Sequence, residues 1–279
     1  MTSSLVPDGP LELLFEQEGL PSADLGAALL EAYGGGTLGF DEPALIANFV
    51  SSVDGVVALP SGGESGMVIS QNSAADHFVM GLLRALADVV VVGAGTLRRS
   101  PGHRWIPDAI YRPAAVEYAR LRSRLGLGEQ PRFVVVSASG AIDASQPALE
   151  NAIIATTRSG QSQLAKRAPA SSRVVAFEGA AVDWRELLRL LRAEGARLVL
   201  TEGGPRAFSE LVSLGVVDEL FLTSSPALFG RFSGDERKAL TEGFDLGRTD
   251  LRLRSVRRHG SHLFLRYGLT RREVARAEG

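Results

Sequence analysis

From residue 45 onward, short apolar runs alternate with helical stretches. The runs at 45–50, 88–92, 132–136, 152–156, 173–177, 197–201 and 219–223 suit buried strands. Between them, 74–86, 184–191 and 207–214 carry apolar residues at helical spacing. Trp184, Leu187, Leu188 and Leu191 fall on one helix face, and Leu82, Leu83 and Leu86 read as core with Arg84 on another face. The period changes near the end, where 251–256 and 262–267 alternate apolar and polar residues as an antiparallel hairpin would. Arg257-Arg258 then reads as a solvated turn, with His259 and His262 on the hairpin surface. Strand–helix–strand alternation predicts an α/β fold: a mostly parallel mixed sheet, helices on both faces, and a C-terminal antiparallel hairpin.

Before residue 45 the pattern is weaker. Ser22 is placed to cap a short helix through Leu25, Leu29, Leu30 and Tyr33, ended by Gly34-Gly35-Gly36. The stretch before it is expected to be partly disordered. The chain thus divides into an N-terminal extension, 1–44, and a domain over 45–279. Segments 98–131 and 227–248 are polar and Arg-rich and read as loops over a site.

Leu198-Val-Leu-Thr-Glu-Gly-Gly-Pro-Arg-Ala-Phe208 carries the strongest chemical signal. A strand stops at Glu202, and a helix starts at once. Gly203 and Gly204 remove side chains, so an anion can approach the backbone. Pro205 suits the first helical position, where its missing N–H costs nothing. The helix then turns its positive end toward the ligand. The same residues also make a tight turn without a ligand. A second glycine turn, Gly93-Ala-Gly-Thr96, follows the strand at 88–92. Two such turns at the C-terminal ends of parallel strands point to a shared crevice. In Asn48-Phe-Val-Ser-Ser-Val-Asp-Gly55, Ser51, Ser52 and Asp54 are placed to bond a ligand, although Asp-Gly also suits a plain turn.

Composition narrows the classes. The net charge is −2, from 30 basic and 32 acidic residues, so neither nucleic acid nor an anionic membrane is favoured as a partner. There are no cysteines, which excludes disulfides and thiolate chemistry. The four histidines lack metal-site spacing, and no Gly-x-Ser-x-Gly elbow, Walker sequence or Gly-x-Gly-x-x-Gly occurs. Met1 to Pro10 does not read as a signal peptide, and no apolar run has the length of a membrane helix. A cytoplasmic protein with a small-molecule substrate is expected.

The blocks 48–55, 83–96 and 202–230, in this order and spacing, resemble the reductase domain of the bacterial riboflavin-biosynthesis deaminase/reductase. That domain belongs to the pyrimidine reductase family of the dihydrofolate-reductase-like superfamily. The resemblance covers about residues 45–268, and it is to the stand-alone form without the zinc deaminase domain. It implies NADPH as cofactor and hydride transfer to 5-amino-6-(5-phosphoribosylamino)uracil. It implies cofactor contacts from Ser51, Met67, Gly93, Gly95, Thr96 and the turn Gly203, Gly204, Pro205, Arg206, Ala207 and Phe208. Ser137, Thr156, Thr157 and Arg158 would approach the adenosine 2′-phosphate. Ser65, Arg84 and Glu202 align with substrate contacts. Asp54 and Glu202 are the catalytic candidates, Asp54 for orientation or proton supply. A homodimer is expected, with Leu251, Leu253, Leu263 and Leu265 offering apolar faces. The chain departs from the family at Leu97-Arg-Arg-Ser-Pro-Gly-His-Arg-Trp-Ile106, where Ser100 replaces an acid and Arg98, Arg99, His103 and Arg104 remain to hold a phosphate. A dihydrofolate-reductase-like enzyme, another pteridine or imine reductase, and a non-catalytic NADPH-binding paralogue are the other readings of these residues.

Overall fold

The computed structural model describes residues 4–60, 65–165, 167–232 and 234–270. The chain begins with β1 (Glu12–Glu16), α1 (Ala27–Ala32), β2 (Ala44–Ser52), β3 (Val56–Ala58), α2 (Ser65–Ile69) and α3 (Ala74–Leu86). It continues through β4 (Val89–Gly93), α4 (Ala94–Arg99), α5 (Pro107–Ile110), α6 (Ala115–Arg124), β5 (Arg132–Ser137) and β6 (Ile153–Thr157). Next come α7 (Arg158–Leu164), β7 (Arg173–Phe177), α8 (Trp184–Ala193), β8 (Leu198–Thr201), α9 (Pro205–Ser213) and β9 (Glu219–Ser225). The two-residue β10 (Lys238–Ala239), β11 (Leu251–His259) and β12 (His262–Leu269) complete the order.

One sheet runs β1-β11-β12-β9-β2-β8-β4-β5-β6-β7. From β9 to β7 all neighbours are parallel, while β12, β11 and β1 are antiparallel. The mixed sheet expected from the sequence is therefore present. The central strands are buried on both faces, and their side chains alternate between two cores. Ile46, Val90 and Val92 join Phe78, Leu82, Tyr118 and Leu121 on the face of α3 and α6. Leu45, Ala47, Val89 and Val91 join Leu187, Leu191, Phe208 and Leu211 on the face of α8 and α9. Period-two burial on both sides of an all-apolar strand fixes its register, since a one-residue slip would exchange the two cores.

The connection leaving β4 runs to the α6 face, and the connection leaving β8 runs to the α9 face. β4 and β8 are hydrogen-bonded neighbours, Val89 opposite Val199. Their C-terminal ends therefore form a topological switch point, where an open α/β sheet leaves a crevice.

Three expectations are corrected. Segment 98–131 is largely helical, because Tyr118, Leu121 and Leu125 make an apolar stripe hidden among arginines. One of these, Arg122, is buried and donates to the carbonyls of Ala85 (3.1 Å) and Ala87 (2.7 Å), capping the end of α3. Second, Ser22 does not cap the first helix. Gly26, at φ 75°, precedes it, and residues 12–16 pair with β11 as an edge strand. Third, Arg257 lies inside β11 and is buried, with Cζ 3.8 Å from the Tyr33 ring centroid. It donates to Glu16, Tyr33 O and Gly35 O at 2.9 Å each, so the segment before residue 45 supplies its partners. The tail from 271 onward lies outside the described residues.

Candidate active site

A cavity opens at the switch point, walled by β2, α2, α3, the 96–105 segment and the β8–α9 turn. Its floor is an ion pair. Arg84 donates Nε to Glu202 Oε1 (2.9 Å) and Nη2 to Oε2 (2.7 Å), with side-chain exposures of 2% and 9%. Arg84 also donates Nη1 to the carbonyls of Ile106 (3.3 Å) and Arg104 (3.5 Å). His103 Nε2 lies 3.1 Å from Arg84 Nη2. Burial, then the Arg84 charge, pull the His103 imidazole down to about 3, so it is neutral and accepts from the guanidinium. Arg84 thus ties α3, the β8–α9 turn and the 103–106 loop together around the cavity.

The two glycine turns meet beside this floor. A Cβ on Gly203 would lie 3.2 Å from Thr201 Oγ1, 3.3 Å from Ala207 Cβ and 3.6 Å from the Gly93 nitrogen. A Cβ on Gly204 would lie 3.4 Å from Thr96 Oγ1 and 3.5 Å from Arg99 Nη2. Gly204 has φ −63°, a value open to any residue, so it is the space and not the backbone angle that glycine provides there. The first turn of α9 leaves N–H groups without intrahelical partners at this cradle. Thr96, Arg99, Gly203, Gly204 and Pro205 line the cavity together with Ser65 and Met67.

Other candidates lie elsewhere. Asp54 is exposed and does not line the cavity. Its carboxylate accepts from Ser52 Oγ (2.5 Å), Phe229 N (3.2 Å) and Gly230 N (2.6 Å), anchoring that turn to the end of β2. The Ser52 hydroxyl foremost holds it below the usual carboxylate range, which makes it a poor proton source. Asp54, expected for substrate orientation or proton supply, here makes the contacts of a turn anchor. Ser51 is buried in β2 opposite Ser224. Phe208 turns into the core, its ring 5.0 Å from that of Phe49, and seats α9. Gly95 and Arg206 belong to the first turns of α4 and α9, and Ala207 packs over Gly203. Ser137 and Thr156 end β5 and β6 on the cavity's edge of the sheet, two strands further out. Thr156 Oγ1 is fully buried and donates to Ser137 O (2.6 Å), while Thr157 caps α7. Arg158, exposed, pairs with Glu178 at 2.8 Å.

Sequence reasoning missed Asp76, which lines the cavity two helical turns before Arg84. Burial pushes its carboxyl up to about 6, with the Thr223 hydroxyl opposing the rise and the Glu202 charge adding to it. An acid inside a helix whose neighbours are almost all core residues was the available signal. Among the described residues no group of side chains is placed to hold a metal ion, and no helix is long and apolar enough to cross a membrane.

An open sheet with two glycine turns meeting over a cavity at its switch point defines a class: the ligand-binding α/β proteins that use the carboxyl edge of the sheet. Within it, the chain belongs to the RibD C-terminal domain family, whose sequence profile matches residues 43–265. A 2,5-diamino-6-ribosylamino-4(3H)-pyrimidinone 5′-phosphate reductase of Archaeoglobus fulgidus is 24% identical over 191 residues, 67% of this chain and 82% of that protein. Two solved structures share the fold. A pyrimidine reductase-like protein of Corynebacterium diphtheriae superposes with a TM-score of 0.67 at 24% identity, covering 82% of this chain and 92% of that one. RibD of Acinetobacter baumannii gives 0.63 at 20% identity, covering 88% of this chain but 62% of that one.

Proposed function

We propose that this protein is an NADPH-dependent reductase of a ribosylaminopyrimidine phosphate, acting in riboflavin synthesis. The observation that carries the reading is the bare cradle at Gly203 and Gly204, with Thr96 and Arg99 beside it, opening on the cavity floored by Arg84 and Glu202. A diphosphate fits that cradle: N–H groups of α9 and the Arg99 guanidinium meet its charge, and a side chain at either glycine would fill the space. When bound, a nicotinamide supplies a hydride to a substrate carbon. The adenosine end would run outward over β5 and β6, about 10 Å away at the ordinary strand spacing. There Arg158 would exchange Glu178, a weak exposed partner, for the 2′-phosphate. Glu202, locked by Arg84, orients the substrate without swinging, and α3 and the 103–106 loop hold it against the nicotinamide position.

Charged, phosphorylated ligands of this kind are retained inside cells, so the reading implies a cytoplasmic enzyme. A homodimer accompanies it. Leu251, Leu253 and Leu263 are exposed on one face of the hairpin, and Phe15 extends that face across β1.

The test is NADPH oxidation by the purified protein, with aminopyrimidine ribosyl phosphate and dihydrofolate offered in parallel. Turnover of the pyrimidine supports the reading. NADPH binding with turnover of neither overturns it.

A further inference from the structure

We infer that a small void under the antiparallel half of the sheet is a binding site for one monovalent anion of chloride size. The inference does not depend on the reductase reading.

The void lies behind the switch-point cavity, with Asn48 lining both. Tyr33, Val79, Ser255, Phe264 and Arg266 are among its other walls, and it has room for a single guest of about atomic size. Arg266, on β12, is 1% exposed. Its Nε donates to Glu219 Oε2 (2.5 Å), and its Nη2 donates to Glu219 Oε1 (3.0 Å) and Gly39 O (2.6 Å). Nη1 is buried as well, and among the described residues no acceptor meets it. A charged N–H shut away from water in this way is strongly unfavourable unless something accepts from it.

The walls around it are rich in donors. Ser255 stands opposite Arg266 in the β11–β12 pairing. Its Oγ accepts from Arg257 Nη1 (3.0 Å), which leaves the hydroxyl proton to be given. Tyr33 and Asn48 add a phenol O–H and an amide NH2. Among the described residues no carboxylate borders the void. The main chains of β9 and β12 pair with strands on both sides, so their carbonyls are engaged in the sheet. A water would have to donate as well as accept, whereas an anion only accepts, and these walls suit the anion. The charges agree. Arg254, Arg257 and Arg266 gather around two carboxylates, Glu16 and Glu219. Burial raises the Tyr33 phenol, and the Arg257 and Arg266 charges oppose that rise, so both cations act on this wall. One small anion balances the third cation. The room excludes phosphate, sulfate and carboxylates, which leaves a halide.

The experiment has two arms. Thermal unfolding of the purified protein is followed in sodium chloride, sodium bromide and sodium gluconate at equal ionic strength, gluconate being too large to enter. Tm should be higher by about 3 °C in either halide once its concentration is about tenfold above Kd, and the rise should saturate. Ser255→Ala removes one donor and should at least about halve that rise. The variant is compared with itself in gluconate, so any loss of basal stability cancels. In crystals grown with bromide, an anomalous peak should stand between Arg266 Nη1 and Ser255 Oγ. Equal Tm in the three salts, a rise untouched by Ser255→Ala, or a water at that place in the crystal overturns the inference. A bromide peak without a rise in Tm marks binding at crystal concentration only and overturns it as well.

Discussion

Arg84 on α3 grips Glu202 on the β8–α9 turn through two parallel hydrogen bonds of 2.9 and 2.7 Å, beneath the cavity and almost out of water. The geometry is the planar fork that only arginine offers a carboxylate. Removing one partner leaves the other charge buried and unpaired. Arg84→Ala should therefore lower unfolding free energy by about 3–5 kcal/mol, read from urea denaturation. Arg84→Met combined with Glu202→Leu should recover most of that loss, because apolar groups of similar size need no partner. On the proposed function the recovered protein should still show no turnover, since Glu202 is the acid proposed to orient the substrate.

Gly204→Asp places a carboxylate where the cradle would take a diphosphate. Its Cβ would already stand 3.4 Å from Thr96 Oγ1 and 3.5 Å from Arg99 Nη2, and the carboxyl would engage that guanidinium. NADPH affinity, followed by fluorescence titration, should fall at least about 100-fold, the loss of an anion site and its cation together. The ordinary φ of this residue means the fold should survive, which circular dichroism would verify. Unchanged affinity would remove the phosphate cradle from the reading.

The parallel sheet was legible because its strands are apolar on both faces and its helices keep a clear stripe. The limits of α3, Ala74–Leu86, coincide with those read from the sequence for the same reason. The glycine turns were legible too, since bare backbone between a strand and a helix has a local signature. What stayed hidden depends on contacts distant in sequence. Arg257 looks like half of a solvated Arg-Arg turn until Glu16 and Tyr33, more than two hundred positions away, close over it. Asp54 looks like a ligand group until Phe229 and Gly230 take its oxygens. Asp76 carries no motif at all, and only the cavity on its side of α3 gives it a meaning.

Asp76 makes stability depend on pH in a stated direction. The folded protein holds its proton up to about 6, whereas an unfolded aspartate releases it near 4. Between those values the folded state binds more protons, so stability falls as pH rises, and the cost is complete above about 6. Asp76→Asn should remove it, raising unfolding free energy by about 3 kcal/mol at pH 7.5 and by little near pH 4. His103 acts in the opposite sense, since burial keeps it neutral when folded and acid favours the unfolded chain below about 6.5. It is present in both proteins, so their difference isolates Asp76. Denaturation curves for the pair at both pH values decide the matter; an equal gain at pH 4 would place the effect in packing.

The exposed face of the hairpin gives the last expectation. A bulge between Leu253 and Ser255 turns Leu251 and Leu253 to the same side as Val256, opposite Leu269, Tyr267 and Leu265 on β12. Phe15 lies beside Val256 across the β1 pairing, so apolar side chains continue over three strands. The other side of the same hairpin is filled by Ser255, Arg257, Phe264 and Arg266, all buried. In the homodimer proposed above, this face would be buried against a copy of itself, the same patch meeting on both subunits. The proposed dimer predicts that the wild type sediments as a dimer and that Leu253→Lys, which puts a charge at the centre of that patch and its mirror charge opposite, sediments as a monomer. The cavity lies at the C-terminal ends of the central strands β4 and β8 and is lined by residues of one chain, so the monomer should keep its NADPH affinity. A wild-type protein that sediments as a monomer at micromolar concentration would leave the face without this role.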